Sequence, residues 1–357
     1  MTQRIVINLS LVLMLATLFS CKDKKTAGLA KADESISDTT DAHEGMVYVP
    51  GGIYTMGSEG AWAERHEGPE LQVQVKPFYM DETEVTNAQY AEFVKATGYK
   101  TIAERPVEWE QIKKDLPAGT PKPADSLLQP GSLVFNPPNF RVPLDTHFRW
   151  WAWIRGADWQ HPEGPGSDIS GKEDHPVVHI AYEDAQAYAK WAGKRLPTEA
   201  EWEFASRGGE TNKQFAWGDE LTPENTYLAN FFQGDFPYNN TLEDGFRTSA
   251  PVKTFPKNGY GLYDMIGNVW EWTTDWYRPD TKQLLGQQTS KICLDPKGPE
   301  SSYDPNDPYV TEKRVIKGGS FLCSDQYCSN YRPSSRMATS TDSGQIHLGF
   351  RCVVDAE

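Results

Sequence analysis

The residues best suited to chemistry lie in one short run, Lys317-Gly318-Gly319-Ser320-Phe321-Leu322-Cys323-Ser324-Asp325-Gln326-Tyr327-Cys328. Two of the chain's five cysteines stand here, five positions apart, just after a Gly-Gly-Ser turn. Thiolates are strong nucleophiles and soft metal ligands. The pair therefore reads as a structural disulfide, half of a metal site, or a redox centre.

The elements that must position this run are short. Met46 to Gly57 reads as a strand, a tight turn and a strand, with further strands at Leu71–Val75 and at Phe78 to Met80. Thr86 is placed to cap a helix from Asn87 to Thr97, with Tyr90, Phe93 and Val94 on one face and Gly98 as the stop. A second helix is expected from Tyr182 to Ala192, closed by Gly193. A third opens on Thr198-Glu199-Ala200-Glu201, a capping box, and runs to Arg207. Residues 105–148 are proline-rich and read as a long ordered surface excursion, and the region beyond Arg207 reads as turns and short strands. With 29 glycines, 25 prolines and 12% aromatic residues, many short elements stiffened by aromatic packing fit better than long helices. The expectation is a single α+β domain, loop-rich and low in regular secondary structure, over residues 46–357.

The N-terminus has a different character. Arg4 precedes an apolar run from Ile5 to Phe19, which is short for a membrane span and has the proportions of a signal peptide. Ser20 before Cys21 after that run looks like a bacterial lipobox, with Phe19 an imperfect fit. We expect residues 1–20 to be a signal peptide, Cys21 to be the lipidated first residue, and residues 21–45 to be a polar tether. The chain would then be exported and lipid-anchored in the cell envelope, facing the periplasm or the outer surface. Setting Cys21 aside leaves Cys293, Cys323, Cys328 and Cys352, an even number for which three pairings are possible in an oxidising compartment. The formal net charge of −15 argues against nucleic acid as a partner.

Four segments carry a resemblance: Gly193 to Glu203, Asn258 to Trp272, Arg314 to Ser320, and Leu348-Gly349-Phe350-Arg351-Cys352. They are similar to the formylglycine-generating enzyme (sulfatase-modifying factor) family over roughly Met46 to Asp355. Asp158 to Pro165, Asp174 to His179, and the pair Cys323 and Cys328 resemble its formylglycine-generating branch. Sulfoxide synthases of the wider superfamily would carry a His-x3-His-x-Glu helix, and the seven histidines here form no such motif.

The resemblance implies a C-type-lectin-like fold and a reaction. Such an enzyme binds an unfolded sulfatase segment of the form Cys-x-Pro-x-Arg and oxidises its cysteine to Cα-formylglycine with molecular oxygen. Cys323 and Cys328 would hold Cu(I), with the substrate thiolate as a third sulfur ligand. Soft thiolates suit Cu(I), which accepts few ligands, better than zinc, which normally takes four. Ser320 falls where the family places a hydroxyl beside the oxygen-binding space. Trp270, Tyr327 and Arg336 are candidates for the substrate cleft. Two structural calcium sites are implied, since hard oxygen donors suit that ion. The first comprises Asn230, Asp244 and the backbone of Phe231 and Phe246. The second comprises Asp264, Glu271 and the backbone of Gly267 and Val269, with Glu84 as an additional ligand. Monomer is the state the family implies.

Two departures stand out. Ala189, Ser206 and Pro333 occupy positions where animal members carry disulfide cysteines, so Cys352 is either a free buried thiol or a partner of Cys293. His347 stands where the family has Asn, a change expected to touch substrate placement rather than copper. The competing reading is a noncatalytic envelope lipoprotein that uses the fold as a binding or assembly module, as in gliding motility. The enzyme reading requires Cys323 and Cys328 to face one open cleft with their sulfurs close enough to share an ion; sulfurs buried on separate faces would favour the module.

Overall fold

The structure is a computed structural model and describes residues 43–288, 291–307 and 312–356. The expected signal peptide, Cys21 and nearly all of the expected tether lie outside the described residues. No helix among the described residues is long and apolar enough to cross a membrane.

The helices follow their local signals. Asn87–Thr97 opens on a reciprocal cap: Thr86 Oγ1 accepts from Gln89 N at 3.3 Å, and Gln89 Oε1 accepts from Thr86 N at 2.9 Å. The helix closes at Gly98, whose N–H donates to Val94 O at 2.8 Å. Tyr182–Trp191 starts where Asp184 reaches back to Ala181 N at 2.9 Å, and Glu199–Ser206 starts at the Thr198 cap. One helix was not expected: Thr281–Gln288, in a stretch read as turns. The excursion at 105–148 is ordered into short helical turns and the strand Gly131–Phe135, which pairs antiparallel with Trp151–Arg155.

The first two strands form as expected, at Met46–Val49 and Gly52–Met56, but they do not pair with each other. Met46–Val49 pairs with Phe78–Asp81, whose other edge takes Val353–Asp355, so the start and end of the domain share one sheet. Gly52–Met56 pairs with Leu71–Val75, to which Cys293–Leu294 adds in parallel. The switch occurs at Gly51, which has φ +64° and packs so tightly that a Cβ would lie 2.6 Å from Val75 O.

The sheet that carries the site has four strands, in the order Met337–Ser340, Lys313–Lys317, Trp270–Trp276, Leu348–Gly349. Its inner strands are antiparallel with an irregularity between Arg314 and Ile316, and Leu348–Gly349 lies parallel to Trp270–Trp276. The main core packs Phe78, Tyr90, Phe93, Trp202, Trp270, Trp272 and Phe350 around this sheet and the helices. A smaller aromatic cluster of Val134, Trp150, Phe232, Phe236, Phe321 and Ile346 sits by the Gly131–Phe135 and Trp151–Arg155 strands.

Candidate active site

The Lys313–Lys317 strand runs into Gly318 and Gly319, both at positive φ. A Cβ on Gly319 would come 2.9 Å from Tyr331 N, so only glycine lets this turn lie against the returning chain. Beyond it the loop straddles both clusters: Phe321 and Leu322 pack into the smaller one and Cys323 into the main core. Backbone bonds pin it, from Phe321 N to Asn268 O (2.9 Å) and from Phe232 N to Cys323 O (3.0 Å).

Two tight turns then bring the thiols together. Cys323 N donates to Ser320 O and Cys328 N to Ser324 O, each at 2.9 Å. The two sulfurs lie 2.8 Å apart as free thiols, with Cys323 buried and Cys328 partly exposed. Burial pushes the Cys323 thiol up, whereas the contact with Cys323 draws the Cys328 thiol down, helped by the Asn330 amide. Asn330 Nδ2 donates to the Cys328 sulfur at 3.3 Å. Sequence reasoning did not single out Asn330, although its place two residues beyond Cys328 puts it within reach. Cys293 and Cys352 are also free and buried, so of the two alternatives for Cys352 the structure shows the unpaired thiol.

Ser320 is fully buried beside the pair. Its hydroxyl meets His347 Nδ1 at 3.0 Å and accepts from Leu322 N at 3.2 Å. Tyr327 is 44% exposed; it stacks on Phe236 at 5.0 Å and meets Trp150 edge-on at 5.5 Å. Cys328 and Tyr327 thus bring the site to the surface beside the smaller aromatic cluster. The other two cleft candidates are elsewhere. Trp270, expected to line the substrate cleft, is fully buried in the main core. Arg336 is also buried, because its guanidinium forms a double ion pair with Glu199 at 2.8 Å and donates to Arg278 O. Neither side chain reaches solvent in this structure.

Hydrogen bonds or through-space charge link the acidic side chains of each expected calcium set to some of its other members. In the first, Asp244 accepts from Phe231 N and Phe246 N at 3.0 Å each. Gln233 Nε2 meets Asp244 Oδ2 and Phe231 O. Asn230 spends its amide hydrogens on Thr248 O and Asn268 Oδ1, which leaves its buried Oδ1 without a hydrogen-bond partner. In the second, Glu84 Oε1 accepts from Asn268 Nδ2 at 3.0 Å while its buried Oε2 has no hydrogen-bond partner. Burial, then the charge of Asp264, pushes Glu84 up, and burial pushes Asp264 up to about 6. Glu271 is already engaged by Arg351 and by Trp202 Nε1. An orphaned buried oxygen in each set fits a hard cation. Among the described residues no three His, Cys, Asp or Glu side chains converge as a metal-binding group. The orphaned oxygens are an amide in the first set and a carboxylate in the second, and the thiol pair offers two sulfurs.

Fold and site together define a loop-rich α+β domain that holds two adjoining free thiols, one buried and one partly exposed, on a loop that follows two glycines. The chain belongs to the sulfatase-modifying factor family: the model of the sulfatase-modifying factor enzyme 1-like domain matches residues 31–356. It is 46% identical to a formylglycine-generating enzyme of Mycobacterium tuberculosis over 310 residues, covering 87% of this chain and 97% of the relative. It is 36% identical to an inactive C-alpha-formylglycine-generating enzyme 2 of Mus musculus over 314 residues, covering 87% and 86%. Among solved structures, PvdO from Pseudomonas aeruginosa shares the fold, with a TM-score of 0.51 at 22% identity over 87% of this chain and 94% of that one.

Proposed function

We propose that this chain is a formylglycine-generating oxidase that activates sulfatases by converting the cysteine of an unfolded Cys-x-Pro-x-Arg segment to Cα-formylglycine, with molecular oxygen as co-substrate. The observation that carries this reading is the pair of free thiols, 2.8 Å apart, with Cys328 reaching the surface. The sulfurs are close enough to share an ion, as the enzyme reading requires, with Cys323 itself buried behind Cys328. The similarity to proteins named formylglycine-generating enzymes supports it.

Cys323 and Cys328 would hold Cu(I), which would supply affinity for the incoming thiolate and reactivity toward oxygen. The protein's own residues do the rest. Cys323 is fixed by the core, and Asn330 holds the Cys328 sulfur toward it. Ser320 offers a hydroxyl beside the pair, and Tyr327 with the aromatic residues under it offers an apolar wall for an extended peptide. Trp270 and Arg336 support this arrangement from within the core. Calcium at the Asn230 and Glu84 sets would be structural: Gly267 N donates to Gly318 O at 2.9 Å, so bracing that segment braces the thiol loop. We further propose that the protein is exported, lipid-anchored through Cys21 and monomeric.

The test is an anaerobic Cu(I) titration followed by oxygen and a Cys-x-Pro-x-Arg peptide, read as mass loss at the peptide cysteine. Wild type is expected to bind one Cu(I) and convert the peptide, and Cys323→Ser and Cys328→Ser to do neither. A wild-type protein that binds no Cu(I) and leaves the peptide unchanged would return the chain to the noncatalytic binding module.

A further inference from the structure

His347 lies against the Ser320 hydroxyl, and its surroundings give that contact a direction. Its Nε2 lies 2.8 Å from Gln345 Oε1, and Gln345 Nε2 donates to Thr339 Oγ1 at 3.0 Å. With the amide hydrogens directed at Thr339, Gln345 presents an acceptor to the ring, so the ring hydrogen sits on Nε2. Nδ1 is then a bare acceptor, and its neighbour at 3.0 Å is the Ser320 hydroxyl. Trp151 packs edge-on against the imidazole at 4.9 Å and closes it from one side. Burial, with the nearby His179, holds the ring neutral, its pKa lowered to about 3.

A hydroxyl has one hydrogen and two lone pairs. Here the hydrogen goes to His347 and one lone pair takes the Leu322 N–H. The second lone pair is left free, on a residue whose carbonyl oxygen accepts from Cys323 N at 2.9 Å. We propose that His347 is a positioning residue which, with Gln345 behind it, locks Ser320 as a hydrogen-bond acceptor toward the thiol site. Ser320 then has no hydrogen to donate to either sulfur and offers the incoming substrate cysteine an acceptor for its S–H hydrogen. Its use in turnover rests on the reading that Cys323 and Cys328 form the reacting centre.

The first measurement needs no turnover. In metal-free protein with 15N-labelled histidine, Nε2 of His347 is expected to show the shift of a protonated nitrogen and Nδ1 that of an unprotonated one. The reverse assignment overturns the proposal. The second uses copper-loaded protein and the peptide. His347→Leu is expected to lower kcat about tenfold, the size of one lost hydrogen bond, with KM within about twofold. His347→Asn, whose side-chain oxygen can take over the accepting role, is expected to recover most of that loss. Melting curves show whether each variant folds. An unchanged kcat in a folded His347→Leu, or His347→Asn as impaired as Leu, overturns the proposal. Should His347→Leu not fold, Gln345→Leu is expected to admit both tautomers and lower kcat about threefold, and an unchanged kcat there counts against the lock. Absence of turnover in wild type strikes the enzyme reading alone, and the nitrogen shifts then decide the hydrogen-bond direction.

Discussion

Two clusters of buried charge flank the same sheet, and they balance differently. Around Arg336, Glu199 and Glu203 are met by four cations. Arg336 pairs doubly with Glu199, Arg207 lies 2.7 Å and Lys317 3.3 Å from Glu203, and Lys282 lies 3.8 Å from Glu199. Around Arg351, three carboxylates share one guanidinium: Glu271 binds it, Glu84 stays 3.8 Å away, and Asp264 feels it only through space. Burial opposes ionisation in both places. In the first, the cations outweigh burial and hold Glu199 at about 2; in the second, Glu84 and Asp264 are pushed up. The first cluster is rich in cations, with Lys282 Nζ left without a hydrogen-bond partner, while the second lacks positive charge, which is what a structural calcium ion would add.

The largest effect should come from breaking the cation-rich cluster. Arg336→Ala leaves Glu199 buried and short of its main partner, and unfolding by urea is expected to show a loss of about 3–5 kcal/mol. A loss below about 1 kcal/mol would mean that Lys282 and Lys317 suffice, and that the contrast between the clusters is smaller than drawn. Next in size is the incomplete cluster. Saturating calcium is expected to stabilise wild type by about 2.7 kcal/mol at a hundredfold excess over Kd. Chelation should remove that gain, and a melting temperature indifferent to calcium would break the comparison outright.

Acid sharpens the same contrast. The Glu199 pKa is depressed in the folded state relative to an unfolded value of about 4.3. Its contribution is therefore present above that pH and lost as pH falls through about 2. Melting curves between these limits are expected to show a steep acid limb in wild type. Arg336→Ala, which raises the Glu199 pKa, should flatten it; equal slopes would remove Glu199 from the account.

Much of the scaffold could be read locally, and neither cluster could. The helix at Asn87–Thr97 was legible because its cap, its apolar face and its stop lie within a dozen residues. The thiol pair was legible because five residues separate it. Arg336 and Glu199 are 137 positions apart, and Arg351 and Glu271 are 80 apart, so no periodicity links them. Arg336 and Trp270 were read toward the cleft because an arginine or an aromatic serves equally well at a binding face or in a core; burial alone decides. The strand switch at Gly51 escaped for a similar reason, since its cause is a contact with Val75 and Lys76 across a turn. Thr281–Gln288 lacks an apolar stripe and contains Gly286, so nothing in its pattern announced a helix.

The smallest expected effect is the most discriminating. Glu84→Gln keeps an oxygen for Asn268 Nδ2 and removes one of three mutually repelling carboxylates. In metal-free protein the change is expected to alter stability by less than about 1 kcal/mol, because a lost charge that had no adequate partner costs little. The same variant should lose most of the calcium-dependent gain, since the orphaned Oε2 is the oxygen best placed to meet an added cation. The two results must occur together. A large loss without calcium would show that Arg351 already satisfies Glu84, erasing the contrast with the cluster around Arg336. A full calcium response in the variant would move the stabilising ion to the Asn230 set, where the other orphaned oxygen lies.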